Sequence, residues 1–320
     1  MNHRIKSGYV VTLLALIMAL TGCGSQSGTI VEDKVNVVTT IYPIYEFTKE
    51  IGGDEVNVIN LLPTGVEPHD WTPKSQDIVN TSKAQLFLYN GAGLEGWVPD
   101  FLKGLNKDTQ VKPVETSKGI QLIDAEGDDG HDHGHDHGSE EEGSHDHHVD
   151  PHTWVSPKSA LVMAENIHSS LVEVDPEHAD YYDERYNALK EKLEQLDESF
   201  TSTLSELSKN EIVVSHQAFG YLARDYNLEQ YSIMGLSPDA EPRAQDLVNL
   251  TKTVQEKGIR YIFFEELVSD KLAKTLASEA GVETLVLNPV EGITKEQEAN
   301  GDNYFTLMEK NLQNLTKALK

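Results

Sequence analysis

Three histidines and one glutamate lie where a metal ion could be held. His69 falls in Glu67-Pro68-His69-Asp70-Trp71 and His152 in Asp150-Pro151-His152-Thr153-Trp154. His216 directly follows Ile212-Val213-Val214-Ser215, and Glu291 lies in Asn288-Pro289-Val290-Glu291-Gly292. His69, His216 and Glu291 follow strand-like runs, and His152 precedes a helix signalled by Ser156-Pro157. Ligand sites in open α/β sheets gather beyond the carboxyl ends of strands, so these side chains are candidates to converge. Three imidazoles and one carboxylate close a four-coordinate shell. Zinc accepts that set at ~2.0–2.2 Å per ligand, whereas manganese or magnesium calls for more oxygen. Glu265 and Glu266, which end Tyr261-Ile262-Phe263-Phe264, are rivals to Glu291 and are expected to act behind it or between lobes.

Spacing does not decide the matter, because the four residues lie 83, 64 and 75 positions apart. Separate structural histidines remain an alternative to a single His-His-His-Glu site. If Glu291 does not bind, the three histidines resemble a catalytic zinc site with an open water position. No general base or nucleophile motif stands beside them, which argues against a hydrolase. A surface adhesin with a structural metal is the third alternative.

The remaining histidines divide sharply. Of the 13 in the chain, seven crowd into one stretch: His131, His133, His135, His137, His145, His147 and His148. The segment Asp124–His148 also carries ten acids and almost nothing apolar. It cannot bury enough surface to offset ordering entropy, so it is expected to be a mobile loop. Its imidazoles and carboxylates would bind metal modestly, as an auxiliary zinc scavenger or sensor, since each ion must also order the chain. Imidazole must be neutral to bind, so capture should weaken below pH ~6.5. His3 goes with the leader, while His168 and His178 lie on helical segments and are expected to serve surface or packing roles.

The formal charge is −27, from 26 basic and 53 acidic residues. So acidic a surface excludes nucleic acid as a partner and suits cations. Residues 1–22 read as a signal peptide: Arg4 and Lys6 precede an apolar run from Tyr9 to Leu20. That run falls short of the ~20 residues a spanning helix needs. Leu20-Thr21-Gly22-Cys23 resembles a lipobox, in which the cysteine is acylated and becomes the first mature residue. Cys23 is the sole cysteine, so the chain has no internal disulfide and its thiol is expected to carry the lipid. The protein is thus expected outside the cytoplasmic membrane, lipid-anchored, with residues 23–34 as tether.

These residues need a frame. Short, Pro-free apolar runs at Val35–Thr39, Val56–Leu62, Gln85–Tyr89, Ile212–Ser215, Tyr261–Phe264 and Thr284–Leu287 read as strands buried on both faces. Helical patterns at Pro73–Thr81, Ala240–Lys257 and Lys271–Ala280 alternate with them, the last ending at Gly281. Alternating βα units imply parallel sheets covered by helices. Residues 176–208 lack Gly and any further Pro, and leucines recur at helical spacing, with Asp175 as N-cap and Pro176 opening the helix. About 32 residues would span roughly 48 Å, a spacer joining two lobes, 35–175 and 209–320.

The strings Glu-Pro-His-Asp-Trp, Asp-Pro-His-Thr-Trp, Ser-His-Gln-Ala-Phe-Gly-Tyr-Leu-Ala-Arg-Asp-Tyr-Asn-Leu, Ser-Pro-Asp-Ala-Glu-Pro, Tyr-Ile-Phe-Phe-Glu-Glu and Leu-Asn-Pro-Val-Glu-Gly-Ile-Thr occur in that order. Together they resemble the zinc-capturing solute-binding proteins of bacterial ABC importers, the ZnuA, AdcA and TroA relatives, and the AdcA type most. The resemblance covers essentially the whole mature chain. It implies two α/β lobes joined by one long rigid helix, with Zn²⁺ held between them. It further implies His69 and His152 as ligands from the first lobe and His216 and Glu291 from the second. Manganese members usually present Glu where this chain has His216 and Asp where it has Glu291, so the third imidazole argues for zinc. The implied partners are a membrane permease and its ATPase, with the binding protein a monomer that performs no chemistry.

Overall fold

Residues 29–124, 149–238 and 242–320 are described by the computed structural model of the chain. They form two four-stranded parallel sheets flanked by helices and joined by one long helix, the α/β architecture that the alternating pattern implies. The first sheet comprises Val35–Thr39 (β1), Val56–Asn60 (β2), Leu86–Tyr89 (β3) and Lys112–Glu115 (β4), in the order β2-β1-β3-β4. The second comprises Glu211–Val214 (β5), Glu229–Ser232 (β6), Tyr261–Phe264 (β7) and Glu283–Val286 (β8), in the order β6-β5-β7-β8. The strand orders are the same, although the sequences of the two halves show no repeat. Each sheet therefore reverses its winding beside its first strand, which opens a crevice at the carboxyl ends of β1 and β3 and of β5 and β7.

The runs at Val35–Thr39 and Tyr261–Phe264 are strands as read. Those at 56–62, 85–89, 212–215 and 284–287 differ at their ends by one or two residues. The strands without a sequence signal are β4, Lys-Pro-Val-Glu, and β6, Glu-Gln-Tyr-Ser. Both lie at sheet edges, where one flank meets solvent and neither an apolar run nor the exclusion of proline is required.

Alternate residues of the central strands point to opposite faces and so serve different cores. Val37, Leu86, Leu88, Ile212 and Val214 join one large cluster with the helices Pro157–Val174 and Ala179–Ser205. Val38 and Phe87 face an outer cluster with Ile59 and Phe101, and Val213 and Ile262 face another with Leu276. Both sheets thus rest their inner faces on a shared spine.

The spine is shorter than the sequence suggests. Pro176–His178 forms a 3-10 turn, and the α-helix proper runs from Ala179 to Ser205, about 40 Å at ~1.5 Å per residue. Asp175 does not cap it; its carboxylate accepts instead from His178 Nδ1 at 2.8 Å and the Tyr182 hydroxyl at 2.6 Å. Tyr182, Leu189, Leu193, Leu196, Phe200 and Leu204 make a continuous buried stripe. Its first half grips the first lobe, where Arg185 Nε donates to the Glu50 carbonyl at 2.7 Å. Its second half grips the other lobe, where Phe200 packs on Tyr226, whose hydroxyl donates to Asp197 at 2.8 Å.

Candidate metal centre

His69 is carried on the connection that follows β2. Its backbone N–H donates to both Glu67 oxygens at 3.0 Å, which turns the chain at Pro68. The imidazole side chain is 11% exposed.

His152 is buried in the turn before the helix Pro157–Val174. Asp150, two residues earlier, accepts from both its backbone N–H at 2.9 Å and its ring Nδ1 at 2.8 Å. The turn itself is pinned to the end of β3. Asn90 donates to the Pro151 carbonyl and accepts from the Thr153 hydroxyl, both at 2.8 Å. Glu95 holds that corner by accepting from the Asn90 and Gly91 N–H groups at 2.8 and 3.0 Å and from Thr40 at 2.6 Å.

His216 lies two residues beyond β5, at the crevice of the second sheet. Its Nδ1 lies 2.7 Å from Glu265 Oε1, and the Ser215 hydroxyl donates to the same oxygen. With Nδ1 of His152 and His216 each donating to a buried carboxylate, both rings turn Nε2 outward as a lone-pair donor. Glu265 thus acts through His216. Glu266 is bound elsewhere, accepting from Asn288 Nδ2 at 2.9 Å and from Gln297 Nε2 at 2.5 Å.

These elements bring His69, His152, His216 and Glu291 together: one donor atom from each lies within 4.8 Å of all the others. His152 Nε2 is 3.1 Å from His69 Nε2 and 3.2 Å from His216 Nε2. Bonds of ~2.0–2.1 Å to a tetrahedral ion would place neighbouring ligands roughly 3.3 Å apart, close to the two separations from His152 Nε2. Glu291 Oε2 lies 3.9 Å from His69 Nε2. The Nε2 lone pairs of His152 and His216, which face each other at 3.2 Å, repel unless a cation lies between them.

Charge and hydrogen bonding carry the same message. Asp150 Oδ2, Glu265 Oε2 and both oxygens of Glu291 are buried without a hydrogen-bond partner; beyond the centre, only Thr81 Oγ1 shares this state among the described residues. Uncompensated buried carboxylates are costly, and a dication supplies what the protein leaves out. Burial, with the repulsion of Glu265 and Glu67 against the attraction of His216, pushes the Glu291 carboxyl up to about 8. Burial, then the neighbouring His152 and His216, pushes His69 down to about 2. Burial also lowers His152 against the pull of Asp150. For His216 burial acts downward, but Glu265, Glu291 and Glu67 outweigh it and raise the ring. The donor set fits a borderline divalent ion such as zinc: mostly nitrogen, one hard oxygen, and four atoms in all.

Sequence reasoning did not single out Asp150 as the His152 partner. A signal was present, since acid-Pro-His occurs at both Glu67-Pro68-His69 and Asp150-Pro151-His152. His168 and His178 lie apart from the centre, His168 on Asp183 and stacked over Tyr186, His178 on Asp175. Cys23 and the seven clustered histidines, 131 to 148, lie outside the described residues.

Comparison with known proteins extends these observations over the whole chain. The family described as zinc-uptake complex component A, periplasmic, matches residues 37–318. The high-affinity zinc uptake system protein ZnuA of Bacillus subtilis (strain 168) is 42% identical over 313 residues, covering 97% of this chain and 96% of its own. The zinc-binding lipoprotein AdcA of Streptococcus pneumoniae (strain R6) is 42% identical over 314 residues, 96% of this chain. The chain spans 56–60% of the length of the AdcA relatives. The crystal structure of the Zn(II)-bound ZnuA-like domain of Streptococcus pneumoniae AdcA superposes with a TM-score of 0.74 at 39% identity, covering 89% of this chain and 99% of that one. With matching fold and sequence over nearly its full length, the chain belongs to the ZnuA family of zinc-uptake components.

Proposed function

We propose that this chain captures Zn²⁺ outside the cytoplasmic membrane and hands it to the permease of an ABC importer, which an ATPase subunit powers. His69, His152, His216 and Glu291 are the ligands. The observation that carries the reading is the convergence of three Nε2 atoms and one unpartnered buried carboxylate from both lobes. Family membership supports transport rather than catalysis, and Glu291 takes the position that a hydrolase would leave open for water. The chain is read as a monomer of two lobes, 35–175 and 209–320, with the spine between them.

Anchoring through acylated Cys23 accords with the lipoprotein name of the pneumococcal relative and would hold captured zinc near the permease. The seven histidines of segment 124–148 would gather zinc at modest affinity beside the tight centre, on the strength of their composition. The test is zinc accumulation under chelation in cells lacking this chain. The wild type should restore accumulation and His216→Ala should not. Restoration by His216→Ala would sink the reading, and a site-dead variant that still binds host cells would assign adhesion separately.

A further inference from the structure

Glu291 is a ligand without a side-chain support. Neither carboxylate oxygen has a hydrogen-bond partner, so its direction is set by the backbone that carries it. That backbone leaves β8 with the Leu287 N–H donating to the Phe264 carbonyl at 3.0 Å. It then meets Asn311, buried in the C-terminal helix Tyr304–Leu319. Asn311 uses both ends of its amide on one residue: Oδ1 accepts from the Asn288 N–H at 2.8 Å, and Nδ2 donates to the Asn288 carbonyl at 2.6 Å. The Asn288 side chain in turn accepts from the Val290 N–H at 2.7 Å.

Inside this grip Val290 takes a φ of 58°. A β-branched residue is a true outlier there, and such strain persists only where the surroundings over-determine it. The far side of the turn is held from the first lobe. The carbonyls of Pro289, Glu291 and Ile293 accept from Trp154 Nε1 at 2.7 Å, the Tyr42 N–H at 3.2 Å and the Gly65 N–H at 2.8 Å. Three alternate carbonyls are thus committed to one lobe while Asn311 holds the start of the turn from the other.

We propose that Asn311 is a positioning residue for the metal centre: it holds the Asn288–Glu291 turn, with Val290 in left-handed backbone, so that Glu291 presents its carboxylate to the ion. The proposal rests on the reading of Glu291 as a ligand. It explains why an amide 20 residues from Glu291 in sequence makes both of its short hydrogen bonds to the backbone of one turn, with only a 3.7 Å contact to Met308 Sδ besides.

The test compares Glu291→Gln, Asn311→Ala, Val290→Gly and the Asn311→Ala/Val290→Gly double variant. Zinc affinity is read by chelator competition, and coordination by the visible absorption of the Co²⁺-loaded protein. Asn311→Ala should weaken zinc by about 10–100-fold, the range for groups that orient metal ligands, and dim the four-coordinate Co²⁺ bands. Glycine adopts the left-handed backbone freely, so Val290→Gly relieves the strained φ, though it also empties the buried place of the Val290 side chain, and it serves as the reference for the double variant. In the double variant it should recover most of the loss, because the turn no longer needs the grip. Unchanged affinity and spectrum in Asn311→Ala would overturn the proposal, as would a double variant no tighter than the single. Wild-type affinity in Glu291→Gln would instead remove the ligand assignment and the positioning role with it. Should Asn311→Ala fail to fold, Asn311→Asp, which keeps the acceptor and loses the donor, reads the same bands: dimming supports the proposal, and a wild-type spectrum contradicts it.

Discussion

The three imidazoles of the centre are held in two different ways. His152 and His216 are buried, and each rests its Nδ1 on a buried carboxylate, Asp150 or Glu265. His69 is partly exposed, and Glu67 reaches only its backbone N–H within hydrogen-bond distance, standing 4.0 Å from Nε2. The first two rings are fixed in tautomer and direction before an ion arrives; the third packs against those two rings and, among the described residues, rests its Nδ1 on no carboxylate. Pre-oriented ligands cost less to organise on binding, so the two kinds of support divide the centre into a prepared floor and an adjustable rim.

That division can be broken or sharpened by substitution. The largest effect belongs to the floor: His152→Ala and His216→Ala should each lower zinc affinity by orders of magnitude in isothermal titration while leaving the far-ultraviolet dichroism intact. His69→Ala should cost less than either and show its effect chiefly as faster zinc release in stopped flow. Equal losses for all three would erase the distinction. Next come the supports. Asp150→Asn and Glu265→Gln should each weaken zinc by about 10–100-fold, and Glu67→Gln by clearly less. If Glu67→Gln matched them, its carboxylate would have to act on the ring as well as the backbone.

Smaller effects separate the centre from its surroundings. Deleting Asp128–His148 should remove several weak zinc equivalents and leave the tight site unchanged; loss of the tight site would join the two regions. Least of all should the overall shape change. The spine packs its buried stripe against both lobes, so small-angle scattering should show little compaction on zinc addition. A large compaction would make the spine a hinge.

The sequence made some of this legible and hid the rest for identifiable reasons. Strand interiors and the turns bearing His69, His152, His216 and Glu291 announce themselves, because buried parallel strands need uninterrupted apolar runs and the candidate ligands stand beside them. The edge strands β4 and β6 have one free flank and carry no such run. The spine begins three residues later than Pro176 suggests because Asp175 spends its carboxylate on His178 and Tyr182 rather than on a cap. Asp150 was visible in its motif only as a charge; its value depends on which ring nitrogen it faces. Asn288 was visible only as part of the Glu291 motif, and Asn311 had no signal at all. Their amides gain meaning only when a helix at the end of the chain is laid beside a turn 23 residues earlier.

The proposed arrangement is one ion among three imidazoles and one carboxylate drawn from both lobes. A zinc-edge anomalous map of the zinc-loaded protein tests it most directly. A single strong peak is expected at ~2.0–2.2 Å from Nε2 of His69, His152 and His216 and from the Glu291 carboxylate. A peak bound by Asp150 or Glu265, or one with water in the place of Glu291, would contradict it.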